Sequence, residues 1–158
     1  MDPCAFCRII AREAPGSFVC EDDWVCAFLD IQPMQPGHLL VVPRKHATSL
    51  CPLSTEKGER MMAVAQRFVR ALHEGAGVPC EGVNLFLADG DVAGQEVPHV
   101  RLHVIPRRRT DGFGLRFGDA YGARPDRTEL DRIAGTLRTR MRQPDPGFGA
   151  PVGEAAHD

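Results

Sequence analysis

The segment His99-Val-Arg101-Leu-His103-Val-Ile-Pro-Arg107 constrains the fold more than any other in the chain. Polar side chains at 99, 101 and 103 alternate with Val100, Leu102 and Val104. A period of two marks a half-buried strand and sends His99, Arg101 and His103 to one face. Neighbours on such a face stand roughly 6–7 Å apart. Packing does not call for two imidazoles and a guanidinium so spaced. They suit a metal, a phosphate, or both.

Other elements follow from punctuation and periodicity. Asp2 and Pro3 predict an N-cap and first turn for a short helix that carries Cys4 and Cys7 on one face. Ser17–Glu21 and Trp24–Leu29 read as a strand pair turning at Asp22-Asp23. After a turn at Pro36-Gly37, His38–Val42 reads as a buried strand ended by Pro43. Ser54 or Thr55 caps a helix with a stripe of Met61, Val64, Ala65, Phe68 and Leu72, closed by Gly75 and Gly77. Val83–Ala88 is a further strand. Thr128 and Asp131 open a last helix with Leu130, Ile133, Leu137 and Met141 inward. The tail 143–158 is rich in Pro, Gly and Ala and reads as disordered. This order predicts an α+β domain over residues 1–142, an antiparallel sheet of about five strands with helices packed on it.

The net charge of −2 speaks against nucleic acid or a membrane surface as the main partner. No apolar run approaches a membrane span, and the first residues do not read as a signal peptide. A cytoplasmic chain is expected, its six cysteines reduced or metal-bound. Arg107-Arg108-Arg109 reads as a solvated strand end, and Trp24 as packing.

The strand and its lead-in, Gly94-Gln95-Glu96-Val97-Pro98-His99, resemble the signature of the histidine triad (HIT) nucleotide hydrolases and transferases. Gly37–His46 and Ala27–Ile31 are similar to earlier strands of that family. The resemblance extends from about Cys4 to Met141 and implies the HIT-like fold, with the sheet continuous across a homodimer. It also implies a nucleotide site. An aspartate matching Asp30 takes the ribose hydroxyls, and Phe6, Ile9, Phe28, Ile31 and Leu40 form an apolar slot for the base. By themselves these apolar residues read as ordinary core, Ile31 and Leu40 under either account. Gln95, Glu96, Val97 and His103 lie at the phosphate end, and His38 matches a histidine behind the nucleophile. Glu96 and Ala88 depart from common family residues, and Arg101 or Arg107 is expected to pair with Glu96. Many bacterial members close a zinc site with residues matching Cys4, Cys7, His46 and His99. Four such ligands make a structural zinc; the alternative is two small apolar cysteines and two unconnected histidines.

The middle residue of the triad, the family's nucleophile, is here Arg101. With a pKa above ~12, arginine has no usable lone pair at neutral pH. Its fixed charge and donor fork instead fit two phosphate oxygens. Three readings stay open. The chain binds a nucleotide or phosphate without the usual turnover. Or water attacks directly, with His103 or His38 as base, Gln95 at the leaving atom and Arg101 clamping phosphate. Or the scaffold runs a lyase or ring-forming step, with His103, His38 and Glu96 as acid–base groups and Arg101 as anion donor.

Overall fold

The computed structural model describes residues 4–119 and 121–142. Asp2, Pro3 and the tail 143–158 lie outside the described residues. The chain forms two compact units, Met1–Phe113 and Gly114–Asp158.

In the first unit the strands β1 (Phe18–Glu21), β2 (Val25–Leu29), β3 (Leu39–Pro43), β4 (Gly82–Phe86) and β5 (Leu102–Arg107) form one antiparallel sheet in the order β1-β2-β3-β5-β4. The β1–β2 turn is set by Asp22, whose Oδ1 accepts the N–H groups of Trp24 and Val25 at 2.8 and 2.9 Å. Helix α1 (Ala5–Ile10) precedes the sheet, with Cys4 at its N-cap. Helix α2 (Thr55–His73) joins β3 to β4, with Ser54 at its N-cap.

The strands alternate between two apolar layers. Val25, Ala27, Leu39, Val41, Val100, Leu102 and Val104 pack with Met61, Val64 and Ala65 of α2. On the opposite face Cys26, Phe28, Leu40 and Val42 pack with Phe6 and Ile9 of α1. Because both faces are covered, β2 and β3 are apolar runs without the polar alternation of a one-sided sheet. The same cover corrects the reading of the 99–104 segment as half-buried: residues 99–106 are all buried. The ladder also starts later than the alternation does. The Val100 N–H goes to the Ala47 carbonyl at 2.8 Å, and regular pairing begins at Leu102.

The second unit contains α3 (Arg127–Met141), capped by Asp126, whose side chain accepts the Glu129 N–H. The expected cap residues Thr128 and Asp131 lie inside the helix. The expected inward face is exposed: Leu130 is 40% and Met141 86% accessible, and no α3 residue is buried. Trp24 stands half-exposed beside the turn. One other expectation fails for a local reason. Arg107 is not merely solvated: its guanidinium holds Asp111 bidentately at 2.6 and 2.8 Å. Among the described residues no helix is long and apolar enough to cross a membrane.

Candidate functional site

The sheet face under α1 carries two groups of titratable side chains and a cleft. The first group lies where α1 begins. Cys4 at the N-cap and Cys7 one turn on bring their sulfurs beside His99, with His46 closing the set after β3. Cys4 Sγ is 3.4 Å and Cys7 Sγ 3.7 Å from His99 Nδ1, and Cys7 Sγ is 3.3 Å from His46 Nδ1. All four donor atoms lie within 4.8 Å of one another. Metal–sulfur and metal–nitrogen bonds of about 2.3 and 2.0 Å at tetrahedral angles give sulfur–nitrogen edges of roughly 3.5 Å, so the set fits a small tetrahedral ion. His99 Nε2 stands 2.9 Å from the Pro43 carbonyl. That bond places the ring proton on Nε2 and turns the Nδ1 lone pair toward the sulfurs. Burial lowers the His99 pKa, which favours the neutral, ligating ring.

The second group follows along the same strand. In the ladder His103 faces Leu40 of β3 and Phe86 of β4, which sets its imidazole under the cleft. His38, just before β3, lies with Nε2 2.9 Å from His103 Nδ1. Asp30, just after β2, has Oδ2 3.6 Å from His38 Nδ1, while its Oδ1 accepts the Gln32 N–H at 2.9 Å. Arg101 is 6% exposed. Its Nε donates to His103 Nε2 at 3.0 Å and its Nη1 to the Val97 carbonyl at 3.1 Å. The guanidinium carbon lies 5.6 Å from the Phe6 ring centre. Burial first, then the His38 and Arg101 charges, lower the His103 pKa to about 4. Burial likewise lowers that of His38. Both rings are therefore neutral at pH 7.

The cleft above them encloses about 320 Å³ and is lined by Phe6, Ile9, Phe28, Asp30, Leu40, Glu96, Val97, Arg101 and His103 among others. Gly94 borders it with φ +88°, a left-handed conformation that selects glycine although no neighbour crowds the position. Most of the residues expected at the site thus converge. Ile31 does not enter the core as expected: at 86% accessible it stands on the rim, because the chain leaves β2 at Leu29. Gln95 is absent from the cleft lining. Its amide is spent on two loops, Nε2 donating to the Thr48 carbonyl between β3 and α2 at 2.8 Å and Oε1 accepting the Gly90 N–H at 2.7 Å. Glu96 lines the cleft, yet among the described residues neither Arg101 nor Arg107 pairs with it. Ala88 is buried away from the lining. Met34 and Phe86 also line the cleft and were not foreseen. Phe86 reaches it only through its register opposite His103 on an edge strand, which local sequence does not specify.

The fold and site together define an α+β protein with a cleft on one sheet face, bordered by two cysteines and two histidines whose spacing could hold a metal ion. The chain belongs to the HIT domain family, whose model matches residues 11–110. It is similar to a HIT-like protein of Borreliella burgdorferi, 44% identical over 119 residues, 75% of this chain and 86% of the other. An adenosine 5′-monophosphoramidase of Schizosaccharomyces pombe is 32% identical over 140 residues, covering 88% and 98% of the two chains. Among solved structures, a Zn-bound histidine triad family protein from Mycobacterium smegmatis superposes with a TM-score of 0.66 at 36% identity, covering 89% and 97%. The α+β fold with its five-stranded antiparallel sheet is that of this family.

Proposed function

We propose that this chain binds a nucleotide, or a related phosphorylated small molecule, in the cleft, and that Arg101 clamps its phosphate in place of covalent nucleotidyl transfer. One observation carries the reading. The Arg101 guanidinium is buried in the cleft wall, and among the described residues no carboxylate pairs with it. A buried charge without a counter-charge costs several kcal/mol. An anionic ligand supplies the missing charge, and a guanidinium matches two oxygens of a phosphate. Phe6, Ile9, Phe28 and Leu40 then form the slot for a flat ring, with Ile31 at its rim. Asp30 offers acceptors to ribose hydroxyls, and Glu96, Val97 and His103 border the phosphate. The phosphoramidase name of the yeast relative supports an adenosine 5′-phosphate as ligand class. Gln95 acts through the loop it staples and not at the leaving atom.

The direct-water and lyase readings need a free imidazole lone pair at the cleft. The Arg101 N–H occupies that of His103, which favours binding over turnover. Cys4, Cys7, His46 and His99 hold a structural zinc in this reading, supported by their tetrahedral edges and by the Zn-bound mycobacterial relative. Such a zinc ties the start of α1 to the strand that carries Arg101. With four protein ligands it offers no position to substrate. The protein works as a cytoplasmic homodimer without nucleic-acid or membrane partners; the net charge of −2 supports the latter.

The test is hydrolysis of adenosine 5′-phosphoramidate and calorimetric binding of AMP by the native protein and its Arg101→His and Arg101→Met variants. The native protein should bind AMP yet turn over at least ~100-fold more slowly than Arg101→His, which alone should trap an adenylyl intermediate. Arg101→Met should lose about 10- to 100-fold in AMP affinity, the worth of ~1.5–3 kcal/mol for charged hydrogen bonds. Equal turnover in native and Arg101→His proteins, or no affinity of the native protein for AMP, would overturn the reading.

A further inference from the structure

We infer that Arg101, His103 and His38 form a hydrogen-bonded relay with two possible directions that ends beside Asp30, and that an anion reaching Arg101 reverses it and releases the Asp30 carboxylate for a hydroxyl-bearing part of the same ligand. The inference rests on the anion-binding reading above and extends it from the phosphate end to the other end of the cleft.

The contacts themselves limit the possible directions. Arginine only donates, so at 3.0 Å from Arg101 Nε the His103 Nε2 atom must accept. A neutral imidazole has one N–H, so the His103 proton sits on Nδ1. That proton points at His38 Nε2, 2.9 Å away, which must then accept in turn. The His38 proton is left on Nδ1, facing Asp30 Oδ2 at 3.6 Å. From this end the relay runs one way, from Arg101 through His103 to His38, whose Nδ1 proton faces Asp30.

A second donor contests the far end. The Met34 N–H lies 3.2 Å from the same His38 Nδ1 and requires it to accept. Both directions cannot hold at once. If Met34 and Arg101 both donate inward, the facing nitrogens of His38 and His103 each carry a proton at 2.9 Å with no acceptor between them. Two neutral rings thus leave room for one outer donor, and the charged guanidinium, nearer at 3.0 Å than the Met34 N–H at 3.2 Å, is the stronger of the two.

An anion at Arg101 removes the conflict. Once the guanidinium turns its Nε–H to a phosphate oxygen, His103 Nε2 no longer has to accept. The Met34 N–H then donates to His38 Nδ1, His38 Nε2–H to His103 Nδ1, and His103 Nε2–H to the anion. No net proton is gained or lost; each ring shifts its single proton from Nδ1 to Nε2. Asp30 Oδ2 loses its imidazole neighbour's proton and becomes a full acceptor toward the cleft it lines. A vicinal diol is the group that uses it. Phosphate and diol recognition are thereby coupled through His38 and His103, which act as positioning residues. The preferred ligand carries both groups.

The experiment is long-range ¹⁵N–¹H correlation spectroscopy of the imidazole nitrogens in the whole ¹⁵N-labelled protein: free, with inorganic phosphate and with AMP, with binding followed calorimetrically in the same samples. Free protein should show His38 and His103 with the proton on Nδ1. Saturating AMP or phosphate should move both to Nε2. Arg101→Met, which removes the contesting donor, should show Nε2 protonation of both rings without ligand. Nε2 protonation of either ring in the free native protein, or unchanged tautomers at AMP saturation, overturns the relay while leaving the anion reading intact. Absence of heat with either anion sinks the anion reading, and the reversal with it.

Discussion

The two groups beneath α1 each hold two histidines, one of them from the 99–103 stretch, yet they suit opposite charges. In the first, the far nitrogen of His99 is fixed by the Pro43 carbonyl, so the near one presents a lone pair beside two sulfurs. Every group there can give electrons, and a cation fits. In the second, the far nitrogen of His103 meets the guanidinium of Arg101, and the near one meets another ring. The group that faces the cleft is a fixed positive charge, and an anion fits. What a histidine does is decided by the partner of its other nitrogen. Residue identity alone does not set it.

The sharpest way to break this contrast is to remove a sulfur. Cys7→Ala should abolish stoichiometric zinc uptake and lower stability by on the order of 3 kcal/mol, about 10 °C in Tm for a unit of this size. Metal analysis together with a thermal melt checks it; an unchanged melt with intact zinc content would erase the first group as a metal site. The Arg101 group should lose nothing of its AMP response in a variant remote from both, which makes the comparison a controlled one.

Protonation sharpens it next. The folded His103 pKa of about 4 lies below the ordinary histidine value of 6.5. Between those values the unfolded chain binds the proton and the folded one does not. Stability from this ring is therefore present above pH 6.5 and is lost as pH falls toward 4, with a slope of up to ~1.4 kcal/mol per pH unit. His38 adds to the same direction. Urea unfolding from pH 7 to 4 should show the loss, and His103→Gln should flatten it.

The smallest effect expected is at Gln95. Its two loop hydrogen bonds predict that Gln95→Ala costs about 1–2 kcal/mol of stability while AMP affinity changes less than ~3-fold. A large change in affinity with unaltered stability would return Gln95 to the ligand.

The elements that carry the site were legible locally. The Met61–Leu72 stripe encodes which side faces inward and the 99–104 alternation which residues share a face, because side-chain direction follows from backbone period; the unbroken β3 run marks a strand covered on both faces. The Cys4-x-x-Cys7 pair needs only one helical turn to converge. Ile31 and the α3 stripe misled for one reason: an apolar residue on the right period is buried only if another surface arrives to cover it. Among the described residues, Ile31, which follows the end of β2 at the cleft rim, and the Leu130–Met141 stripe stay exposed.

Sequence by itself determined the family, the sheet and the arginine between His99 and His103. It also determined that an arginine there cannot act as a nucleophile, since that follows from its pKa alone. Only the tertiary structure decided what the arginine does instead. It links Arg101 to His103 and His103 to His38 by hydrogen bonds, sets Asp30 beside His38, and ties Gln95 to the Thr48 carbonyl. Hydrogen-bond direction is a property of the whole chain of partners. It becomes readable only when residues 30, 38, 101 and 103 stand side by side.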